Sequence, residues 1–330
     1  MKFFSEENAE LQHRIESFFQ RLSEINEHDF EGKLSVILLG SLSRGEGTWA
    51  MQDGRIQLLS DIEFFTVYPR GFQRFKEFDE EIQKNAHLEL GDIESDLFHV
   101  DNTWVEENKL PKLERKLLTF DAQEFGRTVV GSDIKDKLPI ITLKNINIED
   151  IYDILIHRMF SVLYYGEKVR ERNALQEYRY LLAKNSLDLM TVLLIKQGIL
   201  VSGFENRLNE IRKINKNEEE ERYFSYCLDI KQSKKTGDVY SIAEMEGMFI
   251  SLVVKLNKDF SIPFMNRFYN IKAIARRHLG MMKRSIQVKK VAPSRRKYLD
   301  GLIQTYNTKR TLSECQLLDN YILNGYPKPV

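Results

Sequence analysis

An apolar strand that runs straight into a Gly-Ser turn constrains this chain more than any other feature. Leu34 to Leu39 is almost wholly aliphatic, and Gly40-Ser41 follows it, then the glycine-punctuated segment Leu42-Ser43-Arg44-Gly45-Glu46-Gly47. A strand ending at glycine lets backbone N–H groups approach an anion closely, and a serine hydroxyl adds one more donor. Downstream, Ser60-Asp61-Ile62-Glu63-Phe64-Phe65-Thr66-Val67 reads as a second strand. Alternation puts Asp61 and Glu63 on one face, roughly 7 Å apart along it, with Ile62 and Phe64 on the other. Two carboxylates so placed suit a pair of hard divalent ions about 4 Å apart, the arrangement of two-metal phosphoryl chemistry. A phosphate cradle followed by a metal-binding pair predicts a site for a polyphosphate and the Mg²⁺ that accompanies it.

A Gly-Ser followed downstream by Asp-x-Asp/Glu on an apolar strand resembles the polymerase-beta-type nucleotidyltransferase superfamily. Gly40-Ser41-Leu42 with Arg44, then Ser60-Asp61-Ile62-Glu63, looks closest in motif to the aminoglycoside (kanamycin-type) nucleotidyltransferases, which also use Glu as the second carboxylate. The resemblance implies an α+β fold: a small mixed β-sheet domain with flanking helices, followed by a C-terminal helical bundle, with the active site in the cleft between them. It implies two Mg²⁺ ions, an NTP donor (ATP being the commonest) and transfer of a nucleoside monophosphate to an acceptor hydroxyl. The gap from Ser41 to Asp61 is longer than the pattern. Gly54, between Met51-Gln52-Asp53 and Arg55 to Leu59, reads as a hairpin tip filling it, an insertion that costs little in loop closure.

Further site residues follow from the same resemblance. A third carboxylate normally comes from a neighbouring strand, and Ile93 to Asp101 is the segment placed to supply it. Asp96, before the apolar pair Leu97-Phe98, is the first candidate, with Glu94 and Asp101 as alternatives. It would take the proton of the acceptor hydroxyl or bind the activating metal. Arg44 reads either as a phosphate ligand, since its guanidinium fork matches phosphate oxygens, or as a surface residue facing Glu46. In related two-domain enzymes a Lys of the helical part reaches the triphosphate, and Lys184 is the candidate. Tyr178 and Tyr180 read as base-stacking residues or as filler of the interdomain surface. Glu167, Glu171, Glu177 and Asp188 are acids suited to a cationic acceptor, none of them assigned as base. His99 alternates with Asp101 and reads as a neighbour of the site or as a structural histidine.

Periodicity organises the rest. Leu11, Ile15, Phe18, Leu22 and Ile25 predict an opening helix, and Phe72, Phe75, Phe78, Ile82 and Ala86 a second. His87 to Val100 reads as a strand region with a turn at Gly91-Asp92, and Arg127-Thr128-Val129-Val130-Gly131 as a short strand. From Ile148 onward helical spacing dominates, with Asn217 as the N-cap of a helix opening on Glu218 to Glu221. The boundary falls near residues 140–146, giving a nucleotidyltransferase domain over 1–145 and a helical, nucleotide-closing domain over 146–330.

Charge excludes little at the global level: 49 basic residues balance 49 acidic ones in the 330-residue chain. The two cysteines, Cys227 and Cys315, form neither a metal motif nor a disulfide framework. No apolar run reaches membrane-span length and no signal-peptide pattern opens the chain, so a cytoplasmic protein is expected. No Walker, Rossmann or Gly-x-Ser-x-Gly pattern is present. Between Arg267 and Lys297 there is no acidic residue. That stretch reads either as the basic face of a bundle helix meeting acids such as Glu218 to Glu221, or as an RNA-binding surface. The reaction expected is therefore NMP transfer to the hydroxyl of a small molecule. The alternatives are a tRNA or protein acceptor, and a nucleotide-binding member without catalysis.

Overall fold

The computed structural model describes residues 2–6, 8–52, 54–91, 98–114, 116–146, 148–172, 175–214, 217–234, 239–261 and 295–307. The protein is a mixed α+β molecule with a small mixed sheet and many helices, and it divides into two compact units. The first comprises Met1–Ile146 and Leu175–Ser241, the second Asn147–Ala174 and Ile242–Val330.

In the first unit, helix α1 (Ala9–Asp29) is capped by Asn8, whose side chain accepts from Leu11 N at 3.1 Å. Leu11, Ile15, Phe18 and Leu22 form its fully buried stripe, as their spacing predicts. Near its end the buried Asn26 donates to Leu34 O and accepts from Leu34 N (3.0 and 3.1 Å), which fixes where the next strand begins. That strand, β1 (Ser35–Leu38), is central. It pairs antiparallel with β4 (Ile62–Tyr68) on one side and with β6 (Arg127–Val130) on the other; β5 (Val100–Glu106) runs parallel to β4 at the edge. The order is β5-β4-β1-β6. Strands β2 (Trp49–Gln52) and β3 (Arg55–Leu58) form the expected hairpin around Gly54.

Each sheet face has its own apolar cluster. Leu38, Ile62 and Phe64 pack with α1 and with Phe78, Ile82 and Leu90 of α3 (Phe75–Leu90). Ile37, Phe65 and Val67 pack with Val105, Leu110 and Ala122, the last from α4 (Leu117–Phe125). Strand alternation places Glu63 on this second face.

The strand expected from His87 is a helix as far as Leu90. Leu90 completes the stripe begun by Phe78, Ile82 and Ala86, and the chain leaves the helix at Gly91, whose N–H bonds to His87 O at 3.0 Å. The strand itself starts only at Val100.

Three helices return to this unit from beyond residue 146: α6 (Leu175–Lys196), α7 (Phe204–Ile214) and α8 (Glu218–Lys231). Buried residues occur all round α6, so it needs neighbours on every side, and α7 and α8 supply two of them. The unit division thus differs from a single break at 145/146. Asn217 caps α8 as anticipated, accepting from Glu219 N and Glu220 N.

The second unit contains α5 (Ile148–Arg172), α9 (Ile242–Ser261) and the helix Arg295–Asn307. Leu155, Met159, Phe249, Val253, Leu299 and Leu302 form its interior, and Asn257 Nδ2 donates to Asp300 Oδ1 at 2.8 Å. Almost all of the basic stretch Arg267–Lys297 lies outside the described residues. No helix among the described residues is long and apolar enough to cross a membrane.

Candidate active site

The two halves of the motif meet. Leu39 N donates to Glu63 O at 2.7 Å, and the chain then turns at Gly40, whose φ is +66°. A Cβ at position 40 would stand 2.4 Å from Glu63 Oε2, so glycine is required both by the backbone conformation and by the carboxylate lying against it. Gly40–Ser43 then forms one helical turn, α2, held by Ser43 Oγ donating to Gly40 O at 2.8 Å. Gly40→Ala should cost about 1–2 kcal/mol from the left-handed conformation alone and should displace Glu63. Chemical denaturation together with a nucleotide-binding titration checks both effects.

Asp61, immediately before β4, is buried. Its Oδ2 accepts from Lys184 Nζ of α6 at 2.6 Å. His99 Nδ1 stands 3.0 Å from Asp61 Oδ1, and His99 Nε2 stands 2.9 Å from Asp101 Oδ2. Burial opposes ionisation of Asp61, but Lys184 and then His99 outweigh it and hold the carboxyl well below its usual range. Burial likewise opposes the charged form of His99, yet its contacts with Asp101 and Asp61 push it up to about 10. At neutral pH the cluster is thus a carboxylate flanked by an ammonium and an imidazolium. In the sheet register Glu63 stands opposite Asp101.

Ser41 Oγ contacts Ser60 Oγ at 3.2 Å. The fully buried Ser60 also accepts from Thr48 N at 2.8 Å and from Lys231 Nζ at 3.1 Å. Lys231 closes α8, and nothing in its local sequence sets it apart from a solvated lysine.

Arg44 faces Glu46, as one of its two readings has it, but as a buried residue and not a surface one. Its Nε donates to Glu46 Oε2 at 2.6 Å and its Nη1 to Asp121 Oδ2 at 3.3 Å, with the side chain 7% exposed. Asp121, on α4, also accepts from Arg207 Nη2 (3.2 Å) and from Ser202 Oγ, while Glu46 Oε1 accepts from Phe204 N at 2.7 Å. Burial works against the Arg44 charge, but Glu46 and Asp121 more than offset it and raise its pKa; for Asp121, Arg207 and Arg44 overcome the same penalty and lower its pKa. The network pins the Gly-Ser loop to the start of α7. Tyr178 and Tyr180 are buried and present no stacking surface.

Asp96 and Glu94 lie outside the described residues. Among the described residues no group of three or more His, Cys, Asp or Glu side chains is disposed to hold a metal. Hard carboxylate oxygens are nonetheless present in Asp61 and Glu63, and a hard cation bound there would take over from Lys184 and His99 the neutralisation of the buried Asp61.

No protein-family model matches the chain, and no curated protein matches it. Among solved structures, the crystal structure of spectinomycin adenyltransferase AAD(9) from Enterococcus faecialis with ATP and spectinomycin is similar over 73% of this chain and 98% of that one, at 12% identity and a TM-score of 0.44.

Proposed function

We propose that the protein is a metal-dependent nucleotidyltransferase that moves a nucleoside monophosphate from an NTP, ATP in the first instance, to a hydroxyl of a small-molecule acceptor. The observation that carries this reading is the meeting of the Gly40-Ser41 turn with the Asp61–Glu63 carboxylates, with Lys184 directed at Asp61. In this reading Gly40 and Ser41 hold the β- and γ-phosphates, and the ammonium of Lys184 binds phosphate oxygens. Asp61 and Glu63, with Asp96, would hold Mg²⁺, which supplies neutralisation of the charge that develops on the phosphates. The acceptor oxygen forms a bond to the α-phosphorus in line as the bond to the bridging oxygen breaks, so pyrophosphate leaves. Asp96 takes the hydroxyl proton. Catalysis then rests on positioning and charge complementarity, as phosphoryl-transfer chemistry requires.

One observation favours a second reading, a nucleotide-binding member without turnover. Lys184 and His99 already neutralise Asp61. A pyrophosphate-release assay with each NTP, Mg²⁺ and a panel of small-molecule and tRNA acceptors separates the readings. Release that depends on a small-molecule acceptor is expected. Nucleotide binding without release on any acceptor supports the second reading, and release only with tRNA reassigns the acceptor.

A further inference from the structure

Lys231 is 1% exposed, yet its ammonium is fully used: Nζ donates to Glu46 O (3.1 Å), Thr48 Oγ1 (2.7 Å) and Ser60 Oγ (3.1 Å). An ammonium has three N–H donors, so each is spent. Its position is fixed from the backbone side as well. Lys231 O accepts from Thr48 Oγ1 at 2.6 Å. Two residues on, Ser233 adopts a left-handed conformation (φ +59°), rare for a residue with a Cβ. There its Oγ donates to Trp49 O (2.7 Å) and accepts from Trp49 N (2.9 Å). The end of α8 is thereby clamped to the root of the β2–β3 hairpin by backbone and side chain together.

The consequence lies at Ser60. Three donors converge on its Oγ: Thr48 N at 2.8 Å, Lys231 Nζ at 3.1 Å and Ser41 Oγ at 3.2 Å. A hydroxyl oxygen offers two acceptor lone pairs. The Thr48 donor is a backbone amide with the shortest contact and Lys231 is held by the clamp, whereas the Ser41 hydroxyl turns about a single bond and has the longest contact of the three. Ser41 is also half-buried while Ser60 is fully buried, so of the two hydroxyls it is the one a ligand reaches.

We infer that Lys231 is a positioning residue: by saturating Ser60 it releases the Ser41 hydroxyl to donate to the phosphates of a bound nucleoside triphosphate. This rests on the nucleotide-binding reading given above, and it assigns Lys231 no contact with the nucleotide. It acts through Ser41, and the ammonium helps to set the direction of one O–H group.

A double-mutant cycle tests it, with Mg²⁺–ATP and inorganic tripolyphosphate as calorimetric probes. Ser41→Ala and Lys231→Met should each weaken binding of both probes roughly tenfold, the scale of one hydrogen bond to a charged group. The double variant should bind no more weakly than Ser41→Ala alone, because the two residues deliver a single interaction. A purely structural role would instead give additive losses, or reduced thermal stability with unchanged affinity, and either result overturns the inference. Should Lys231→Met not fold, Ser60→Ala tests the same step from the other side: it removes the acceptor that competes for the Ser41 hydroxyl, so affinity for both probes should stay within about twofold of wild type, and a roughly tenfold loss overturns the inference. Wild-type protein that binds neither probe overturns the nucleotide reading and this one together. Binding with an additive cycle overturns this one alone.

Discussion

Asp61→Asn should lower nucleotidyl transfer by on the order of 10³-fold, the scale on which losing a charge-stabilising group at a reacting centre is felt. The chain should remain folded, because Asn fills the same volume and its side-chain oxygen still accepts from Lys184. Stability should nevertheless change its dependence on pH. The folded-state pKa of Asp61 is depressed, so its contribution is present above the unfolded carboxylate pKa of about 4 and is lost as pH falls through the folded value. His99 has the opposite sign: its folded pKa is raised to about 10, so its contribution is complete below an unfolded pKa of about 6.5 and disappears as pH rises towards about 10. Urea titrations from acid to alkaline pH should therefore show losses at both ends in the wild type. In Asp61→Asn the acid limb should flatten, and the alkaline limb should shrink because His99 loses the Asp61 charge while Asp101 remains. An unchanged pH profile would remove Asp61 from the ion cluster.

Asp121→Ala should lower the stability of the first unit by about 3 kcal/mol. That is the lower part of the range for breaking a buried pair, because the Asp121 side chain keeps 22% exposure. The cause is the pair of cations left behind. Arg44 and Arg207, with side chains 7% and 4% exposed, share this carboxylate and both approach the Phe204 ring, with their guanidinium carbons 5.2 and 5.4 Å from the ring centroid. Without Asp121, Arg207 loses the carboxylate it pairs with and Arg44 is left with Glu46 and the charge of Asp188. Chemical denaturation reads the shift in midpoint at constant slope. A loss below about 1 kcal/mol, the size of an ordinary surface pair, would show that the network does not hold α7 to the Gly-Ser loop.

Local rules carried the sequence reading a long way. The stripe of α1, the hairpin at Gly54 and the Asn217 cap each depend on residues within a few positions of one another, and each stands as expected. The meeting of Gly40-Ser41 with Asp61 and Glu63 was readable for a related reason: two antiparallel neighbours, β1 and β4, bring their site ends together. Lys184 was picked out by resemblance, and it stands 2.6 Å from Asp61 across 123 residues of chain.

What could not be read depends on contacts distant in sequence. The buried network around Arg44 left no trace in the local sequence beyond Glu46, because Asp121 is 77 residues away and Arg207 is further on still. Lys231 looked like any lysine at the end of a helix, since its acceptors come from residues 46, 48 and 60. Tyr178 and Tyr180 looked available for stacking because the surroundings of α6 are set by helices that follow it. His87 to Leu90 was misread because a short apolar-polar alternation satisfies a strand and the last turn of a helix equally well. The helix prevailed through burial of Leu90 beside Ile82 and Ala86.

The most direct test of the account follows the phosphorus. The protein is incubated with Mg²⁺ and an NTP labelled at the α-phosphorus, over a panel of hydroxyl-bearing small molecules, and the label is traced. Nucleotidyl transfer predicts label covalently attached to an acceptor, one pyrophosphate released for each acceptor modified, and loss of both in Asp61→Asn. Label that stays with unmodified NTP across every base and acceptor, or transfer that persists undiminished in Asp61→Asn, would contradict it.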